Sequence, residues 1–435
     1  MITSSAFANK KYALLGLARS GLSSVRSLAA SGAELVAWDS RSEACDAVSD
    51  LVTIADPMTV DLAGFDGIVV SPGVPLNRHP IAQVAEKAGV PIIGDIELFA
   101  QARQTLPAHR VVGITGTNGK STTTALVHHM LKSAALPVRI GGNIGLPILS
   151  QGPLSPGGVY ILELSSYQID LTHSLACDVA ALINLSPDHL SRYDGYQGYK
   201  SSKARLFAMQ GAKQHSIFGN GDADTLAIAN EAKKYRNDGA FHIADPAVIS
   251  GQNEWPSLQG PHNLQNAAVA IAIAESLGLT ETQWRAAFRS FKGLEHRMEI
   301  VAEAGGVLFV NDSKATNPAS TAPALAAYPR IHWIVGGQPK GEDLFECEEN
   351  FGNVVKAYTI GEAGPAYAKL LSGNMQVENC EMLVTAVAQA MAQAQPGEVI
   401  MLSPACASFD QFKDFEARGD CFKAAVHNLV GGKAA

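Results

Sequence analysis

The stretch 111–132 restricts the fold of this chain more than any other. An apolar run, Val111-Val112-Gly113-Ile114, passes into Thr115-Gly116-Thr117-Asn118-Gly119-Lys120-Ser121 and then into a helix-length periodic segment, 122–132. A short strand feeding a Gly-rich turn and a helix belongs to a parallel α/β sheet, because the helix packs back on the strand that launched it. Such a turn aims backbone N–H groups and a helix N-terminus at an anion. Lys120 then neutralises a terminal phosphate and the Ser121 hydroxyl suits Mg²⁺. The glycines are out of register with the generic G-x-x-x-x-G-K-S/T loop: Ile114 stands where the earlier glycine belongs, flanked by Gly113 and Gly116. The pattern points to ATP.

The rest of the chain repeats the theme. Short apolar runs alternate with helix-length segments nearly throughout, and three blocks separate. The first has strand candidates at 12–15, 34–38, 67–70 and 90–93, with a helix at 21–30. A polar stretch, 101–110, reads as a linker. The second block adds strands at 159–162 and 179–183, a loop at 151–158, an irregular stretch at 238–262 and a helix at 263–277. The third follows 294–297, with strands at 307–310, 332–335, 357–360 and 399–402. The expectation is an α/β chain of three domains in series. These are a Rossmann-like N-terminal domain over 1–99, a P-loop-type central ATPase domain over 100–294 and a doubly wound α/β C-terminal domain over 295–435.

Composition sets the boundaries. At 435 residues, 47% hydrophobic and 17% charged, the chain can fill several cores. A net charge of −8 argues against a broad nucleic-acid surface. Six scattered cysteines without a C-x-x-C pair suit reduced thiols, and no run approaches the ~18 apolar residues of a membrane span. The expectation is a cytoplasmic protein without membrane insertion or an obligate protein partner.

Candidate chemistry clusters after the apolar runs, where doubly wound sheets bind ligands. Glu163 ends one run and is the main Mg²⁺ candidate. His189, in Asn184-Leu185-Ser186-Pro187-Asp188-His189-Leu190, is a metal or substrate contact. Lys203 on its own reads as a surface cation. In the third block, Asn311-Asp312-Ser313-Lys314-Ala315-Thr316-Asn317, Gly336-Gly337-Gln338-Pro339-Lys340 and 403–410 all follow strands. Lys314, Lys340, Thr316 and Ser408 offer cations and hydroxyls to a small carboxylated substrate, although Ser408 alone could cap the next helix. In the first block, Gly16-Leu17-Ala18-Arg19-Ser20-Gly21 nearly fits the dinucleotide fingerprint, with Asp39 18 residues beyond Gly21. NAD, FAD and a UDP group all stay open there. An oxidoreductase would leave Lys120-Ser121 and the third block without a purpose.

Taken together, 115–122, Gly141-Gly142-Asn143-Ile144-Gly145, 162–166, Asp188-His189, His296-Arg297 and 311–317 resemble the Mur ligase family, over essentially the whole chain. The resemblance implies a ligase in peptidoglycan precursor synthesis. ATP would phosphorylate the carboxylate of UDP-N-acetylmuramoyl-L-alanine, and the amine of D-glutamate would displace phosphate from the acyl phosphate. It assigns ATP to Gly116, Thr117, Asn118, Gly119, Lys120, Ser121, Thr122, Asn266, Arg297 and Asp312. Two Mg²⁺ ions fall to Ser121, Glu163, His189 and Lys203, with Lys203 carbamylated. Lys314 would serve the acyl phosphate. Thr316, Lys340, Ser408 and Phe415 would receive D-glutamate. Leu17, Ala18, Ser20, Gly21, Asp39, Ser40, Ser71, Asn143 and His189 would receive the UDP substrate. Two positions depart from the family pattern: Ala18 replaces a usual glycine, and Ser191 a frequent acid.

Overall fold

A computed structural model describes residues 1–339, 341 and 343–431. The chain forms two compact units, Met1–Val248 with Gln265–Ala287, and Ile249–Leu264 with Phe288–Ala435. The first unit holds two sheets and the second holds one. The α/β class is as expected.

In the first sheet, β1 (Lys11–Leu15), β2 (Glu34–Trp38), β3 (Thr53–Ile54), β4 (Gly67–Val70) and β5 (Ile92–Ile93) lie in the order β3-β2-β1-β4-β5, all parallel. Period-two alternation sends Tyr12 and Leu14 into one core and Ala13 and Leu15 into the other, so both faces are covered. Strand order reverses between β1 and β4, which opens a crevice beyond their carboxyl ends.

The second sheet comprises β6 (His109–Thr115), β7 (Val138–Gly142), β8 (Gly158–Glu163), β9 (Val179–Leu182), β10 (His215–Gly219) and β11 (Phe241–Ala244). Its order is β11-β10-β9-β6-β8-β7, again all parallel. The Gly-rich loop leaves β6 near the middle and launches the helix Lys120–Ser133. The 101–110 stretch is more ordered than a linker. The helix Asp95–Ala102 runs into a 3₁₀ turn at Arg103–Thr105, and β6 already begins at His109. Arg103 accounts for part of this, donating to Asp178 Oδ2 at 2.9 Å and to the Ala176 carbonyl at 2.7 Å. The irregular 238–262 region contains β11 and three 3₁₀ turns, Pro246–Val248, Gln252–Glu254 and Pro256–Leu258.

In the second unit, β12 (Glu299–Ala304), β13 (Val307–Asn311), β14 (Ile331–Gly336), β15 (Val354–Ile360), β16 (Gln376–Glu381) and β17 (Val399–Leu402) take the order β12-β13-β17-β14-β15-β16. Among the described strands of this sheet only β12 is antiparallel to its neighbour. The last strand in sequence inserts between β13 and β14, so the loops after three adjacent strands share one carboxyl edge. No described helix is long and apolar enough to cross a membrane.

Candidate active site

The Gly-rich loop is built between two neighbouring strands. Leu164, just past β8, donates its N–H to the Ile114 carbonyl at 2.8 Å, and Ile183, just past β9, donates to the Thr115 carbonyl at 3.0 Å. The Asn184 carbonyl accepts from Thr117 N–H at 3.0 Å, and its side-chain oxygen accepts from Asn118 N–H at 2.9 Å. Tyr199 and Thr117 pair their hydroxyls at 3.1 Å. Lys120 Nζ donates to the carbonyls of Gly116 (2.9 Å) and Thr117 (2.7 Å), which holds the cation over the loop. Gly119 caps the helix at φ +81°, and a Cβ there would lie 2.1 Å from Asn266 Oδ1. Only glycine meets both conditions. Asn266 is thereby placed against the loop, and Ser121 is buried beside Thr122 on the first helical turn.

Glu163 lies in register with Ile114 on the neighbouring strand and is 1% exposed. Asn143 holds it twice: its N–H donates to the Glu163 carbonyl at 2.8 Å, and its Nδ2 donates to Oε1 at 2.9 Å. The second carboxylate oxygen, Oε2, is buried without a hydrogen-bond partner among the described residues. A buried, unpaired carboxylate oxygen is costly unless a cation meets it. Glu163 and Ser121 therefore fit Mg²⁺, which commonly takes one carboxylate, a hydroxyl and phosphate oxygens. No group of three or more His, Cys, Asp or Glu residues that could hold a metal occurs among the described residues.

Lys203 is no surface cation. It is 1% exposed on the helix Gly195–Ala208, and its Nζ donates to Thr115 Oγ1 (3.1 Å) and the Gly116 carbonyl (2.9 Å). Burial first, then repulsion from Lys120, holds its amine well below the usual lysine range. In its protonated form it can only donate such hydrogen bonds and has no lone pair for a metal. The His189 ring is half exposed, lies 3.5 Å from Asp188 Oδ2 and packs on Tyr167 at 5.1 Å.

In the first sheet, Gly21 packs on the end of β1, where a Cβ would lie 2.0 Å from the Gly16 carbonyl oxygen. Leu17 N–H donates to Asp39 Oδ2 at 2.7 Å. Burial raises the Asp39 carboxyl, but hydrogen bonds from Arg41 and Leu17 outweigh it and bring the pKa to about 2. Asp39 thus braces the β1 loop. Ser71 Oγ closes the crevice by donating to the Gly16 carbonyl at 2.8 Å. Ala18 precedes the helix Arg19–Ala30 and Ser20 lies on its first turn, while Ser40 follows β2. Arg19 reaches from that turn to the Gly145 carbonyl at 2.8 Å, in the loop that carries Asn143.

The second unit gathers its candidates as the strand order requires. Asp312 N–H donates to the Leu402 carbonyl at 2.7 Å, and Ser403 Oγ donates to Asp312 Oδ2 at 2.8 Å. Burial pushes the Asp312 carboxyl up to about 7, against Ser403, the Met298 N–H and the charge of Arg297. Lys314 Nζ lies 3.8 Å from the centre of the Phe415 ring, and Thr316 N–H donates to the Lys314 carbonyl at 2.9 Å. Ser408 caps no helix. Its carbonyl accepts from Gln411 and Phe412 in a turn, and the helix Phe415–Gly431 begins later, with Asp414 Oδ1 accepting from Ala417 N–H at 2.7 Å. Lys340 lies outside the described residues.

Sequence reasoning missed Arg418. Its buried guanidinium donates to the carbonyls of Ser313 (2.9 Å), Cys406 (3.0 Å) and Ala407 (3.1 Å) and to Ser313 Oγ (3.0 Å), fastening the β13 loop to the β17 loop. Neither Arg418 nor Asn184 carries a local signal, because each works on a loop distant in sequence.

Three family models match the chain: a Mur ligase MurD-like N-terminal domain over 10–94, a Mur ligase middle domain over 114–274, and a Mur ligase glutamate ligase domain over 296–406. The chain is 68% identical to the UDP-N-acetylmuramoylalanine–D-glutamate ligase of Novosphingobium aromaticivorans, covering 100% of this chain and 98% of that one. It is 57% identical to the ligase of the same name from Sphingopyxis alaskensis, over 99% and 100% of the two chains. Among solved structures, UDP-N-acetylmuramate-alanine ligase from Thermotoga maritima shares the fold at a TM-score of 0.57 and 15% identity, covering 97% of this chain and 99% of its own. An Acinetobacter baumannii D-alanyl-D-alanyl ligase does so at 0.58 and 16%, covering 99% and 92%. With three family models along its length and relatives 68% and 57% identical end to end, the chain belongs to the Mur ligase family.

Proposed function

We propose that this protein is an ATP-dependent amide ligase that adds D-glutamate to UDP-N-acetylmuramoyl-L-alanine, releasing ADP and phosphate, in peptidoglycan precursor synthesis. The observation that carries this reading is the 68% end-to-end identity with the Novosphingobium enzyme. The geometry supports the chemistry. Transfer of a phosphoryl group to a carboxylate brings anions together, so the protein must neutralise and align them. Lys120 and the loop amides of 116–119 receive the γ-phosphate end of ATP. Asn266, Arg297 and Asp312 are assigned to the adenosine. Leu17, Ala18, Ser20, Gly21, Ser40 and Ser71 are assigned to the UDP group, where Asp39 braces the loop through Leu17 N–H.

Ser121 and Glu163 would hold Mg²⁺, which supplies charge neutralisation at the phosphates. His189 and a carbamylated Lys203 would hold a second ion. The depressed pKa of Lys203 supports that modification, since only the neutral amine adds to CO₂. An N–C bond forms, a C=O π bond opens and a proton leaves to water. Asn143 orients Glu163 and is assigned to the reacting substrate. Lys314 steadies the acyl phosphate, and Thr316, Lys340, Ser408 and Phe415 receive D-glutamate. The division into 1–99, 100–294 and 295–435 then assigns UDP substrate, ATP and amino acid to successive domains, in the cytoplasm.

Phosphate release tests the reading. Purified protein with ATP, Mg²⁺ and UDP-N-acetylmuramoyl-L-alanine should release phosphate with D-glutamate and not with L-alanine, a diamino acid or D-alanyl-D-alanine. Release indifferent to the amino acid would overturn it.

A further inference from the structure

The loop that carries His189 is tied to the first sheet by Arg192. Its guanidinium donates to the carbonyls of Pro72 (3.0 Å) and Val74, in the loop that leaves β4. The same group lies 4.4 Å from the centre of the Tyr167 ring. That ring also carries the His189 imidazole, at 5.1 Å. The β4 loop is fixed in turn to the β1 loop through Ser71 and Gly16, 2.8 Å apart. An unbroken run of contacts therefore leads from the crevice at Gly16 to the imidazole of His189. A second bond runs beside it, from Asn77 Nδ2 to the Ser191 carbonyl at 3.2 Å.

His189 needs outside support. Its φ of +52° lies in the left-handed region, which costs a non-glycine residue about 1–2 kcal/mol. Within the turn, Arg192 N–H donates to the His189 carbonyl at 2.9 Å. Arginine suits the task, because one planar group can engage two carbonyls at its edge and an aromatic ring on its face. Lysine offers only a point charge.

We infer that Arg192 is a positioning residue for ligation, setting His189 by reference to the loop beside the UDP crevice. The inference rests on the ligase reading above. Ordering of the Ser71–Asn77 loop by substrate then orders the 188–192 turn, with Tyr167 as the shared platform.

Steady-state kinetics on the full chain, varying each substrate in turn, tests this with Arg192→Ala, Arg192→Lys and Tyr167→Leu. Loss of charge-assisted bonds should raise KM for UDP-N-acetylmuramoyl-L-alanine and lower kcat, each about tenfold or more, with KM for ATP within about twofold. Arg192→Lys should recover part of kcat. The double variant Tyr167→Leu/Arg192→Ala should be no worse than the poorer single variant, since both break one linkage. A merely structural role would reduce the folded, active fraction and scale kcat alone. An unchanged KM for the UDP substrate, an equal rise in both KM values, or multiplicative losses in the double variant would overturn the inference. If Arg192→Ala does not fold, Arg192→Gln is read by the same criteria. Wild-type protein that releases no phosphate with D-glutamate defeats the ligase reading. An active wild type with indifferent Arg192 variants defeats only this inference.

Discussion

Replacing Asp312 by asparagine tests how the cleft of the second unit is held together. The carboxyl is 6% exposed, with Oδ2 accepting from Ser403 at 2.8 Å and Oδ1 from Met298 N–H at 3.2 Å. Burial raises its pKa from 3.8 to about 7. Between about pH 4 and pH 7 the folded protein therefore keeps a proton that the unfolded chain has released, and stability falls as pH rises through that window. Below it both states are protonated and the effect vanishes; above it the loss is complete. At about 1.4 kcal/mol per pH unit the loss is on the order of 4 kcal/mol. Asp312→Asn has the shape of the protonated acid at every pH. It keeps Oδ1 for Met298 and can donate to Ser403 Oγ. Urea unfolding followed by tryptophan fluorescence should show the variant more stable than wild type at pH 8, by about 2–4 kcal/mol, and equal within about 1 kcal/mol at pH 4.5. The difference between the two proteins matters, because other carboxyls titrate in both. Equal stability at both pH values, or a wild type that is the more stable at pH 8, would refute the reasoning.

Three shorter tests bear on the first unit. Gly119→Ala must place a methyl 2.1 Å from Asn266 Oδ1 at φ +81°. It should raise KM for ATP about a hundredfold while costing about 1–2 kcal/mol from the left-handed backbone, and a normal KM would show that the loop tolerates the change. Asn143→Ala removes the donor to Glu163 Oε1. The Mg²⁺ concentration for half-maximal activity should rise about tenfold, as one charge-assisted bond is lost. An unshifted Mg²⁺ titration would mean that Asn143 does not orient the carboxylate. For Lys203, ¹³C-labelled bicarbonate should produce a carbamate carbon signal that Lys203→Ala lacks. Identical spectra from the two proteins would exclude the modification.

What could be read from the sequence follows burial. β1, β4, β6, β8, β9, β14 and β17 are covered on both faces and stand out as apolar runs, and all of them were expected. The strands that went unrecognised lie mostly at sheet edges. β16 reads Gln-Val-Glu-Asn-Cys-Glu with one buried position, and β12 has none. β3, β7 and β11 are edges too. β10 lies one place in and is buried at four of five positions, but His215, Ser216 and Gly219 leave it only two apolar residues. Half-covered strands need no apolar run, so composition leaves them silent. The 101–110 stretch shows the converse: its polar side chains hid a backbone held by Arg103, two of whose partners, Ala176 and Asp178, lie more than 70 residues away.

The same division governs the site. Residues whose task is local, such as Lys120 and Ser121 at a helix start or Glu163 at a strand end, announced themselves by position. Residues that brace one loop from another, such as Asn184, Arg418 and Asn143 on Glu163, could not. The off-register glycines join the two cases. Ile114 is still inside β6 and fully buried, so the position that holds glycine in the generic loop has no turn to make here. Gly113 is small for a different reason, since a Cβ would lie 2.7 Å from Cys177 Sγ in the core. Gly119 is small because Asn266 lies against it. The spacing of the loop is thus fixed by what packs behind it as much as by the phosphate in front. A generic loop transplanted onto β6 would put a cavity where Ile114 packs, and would keep only Gly119, the glycine both patterns share, against Asn266.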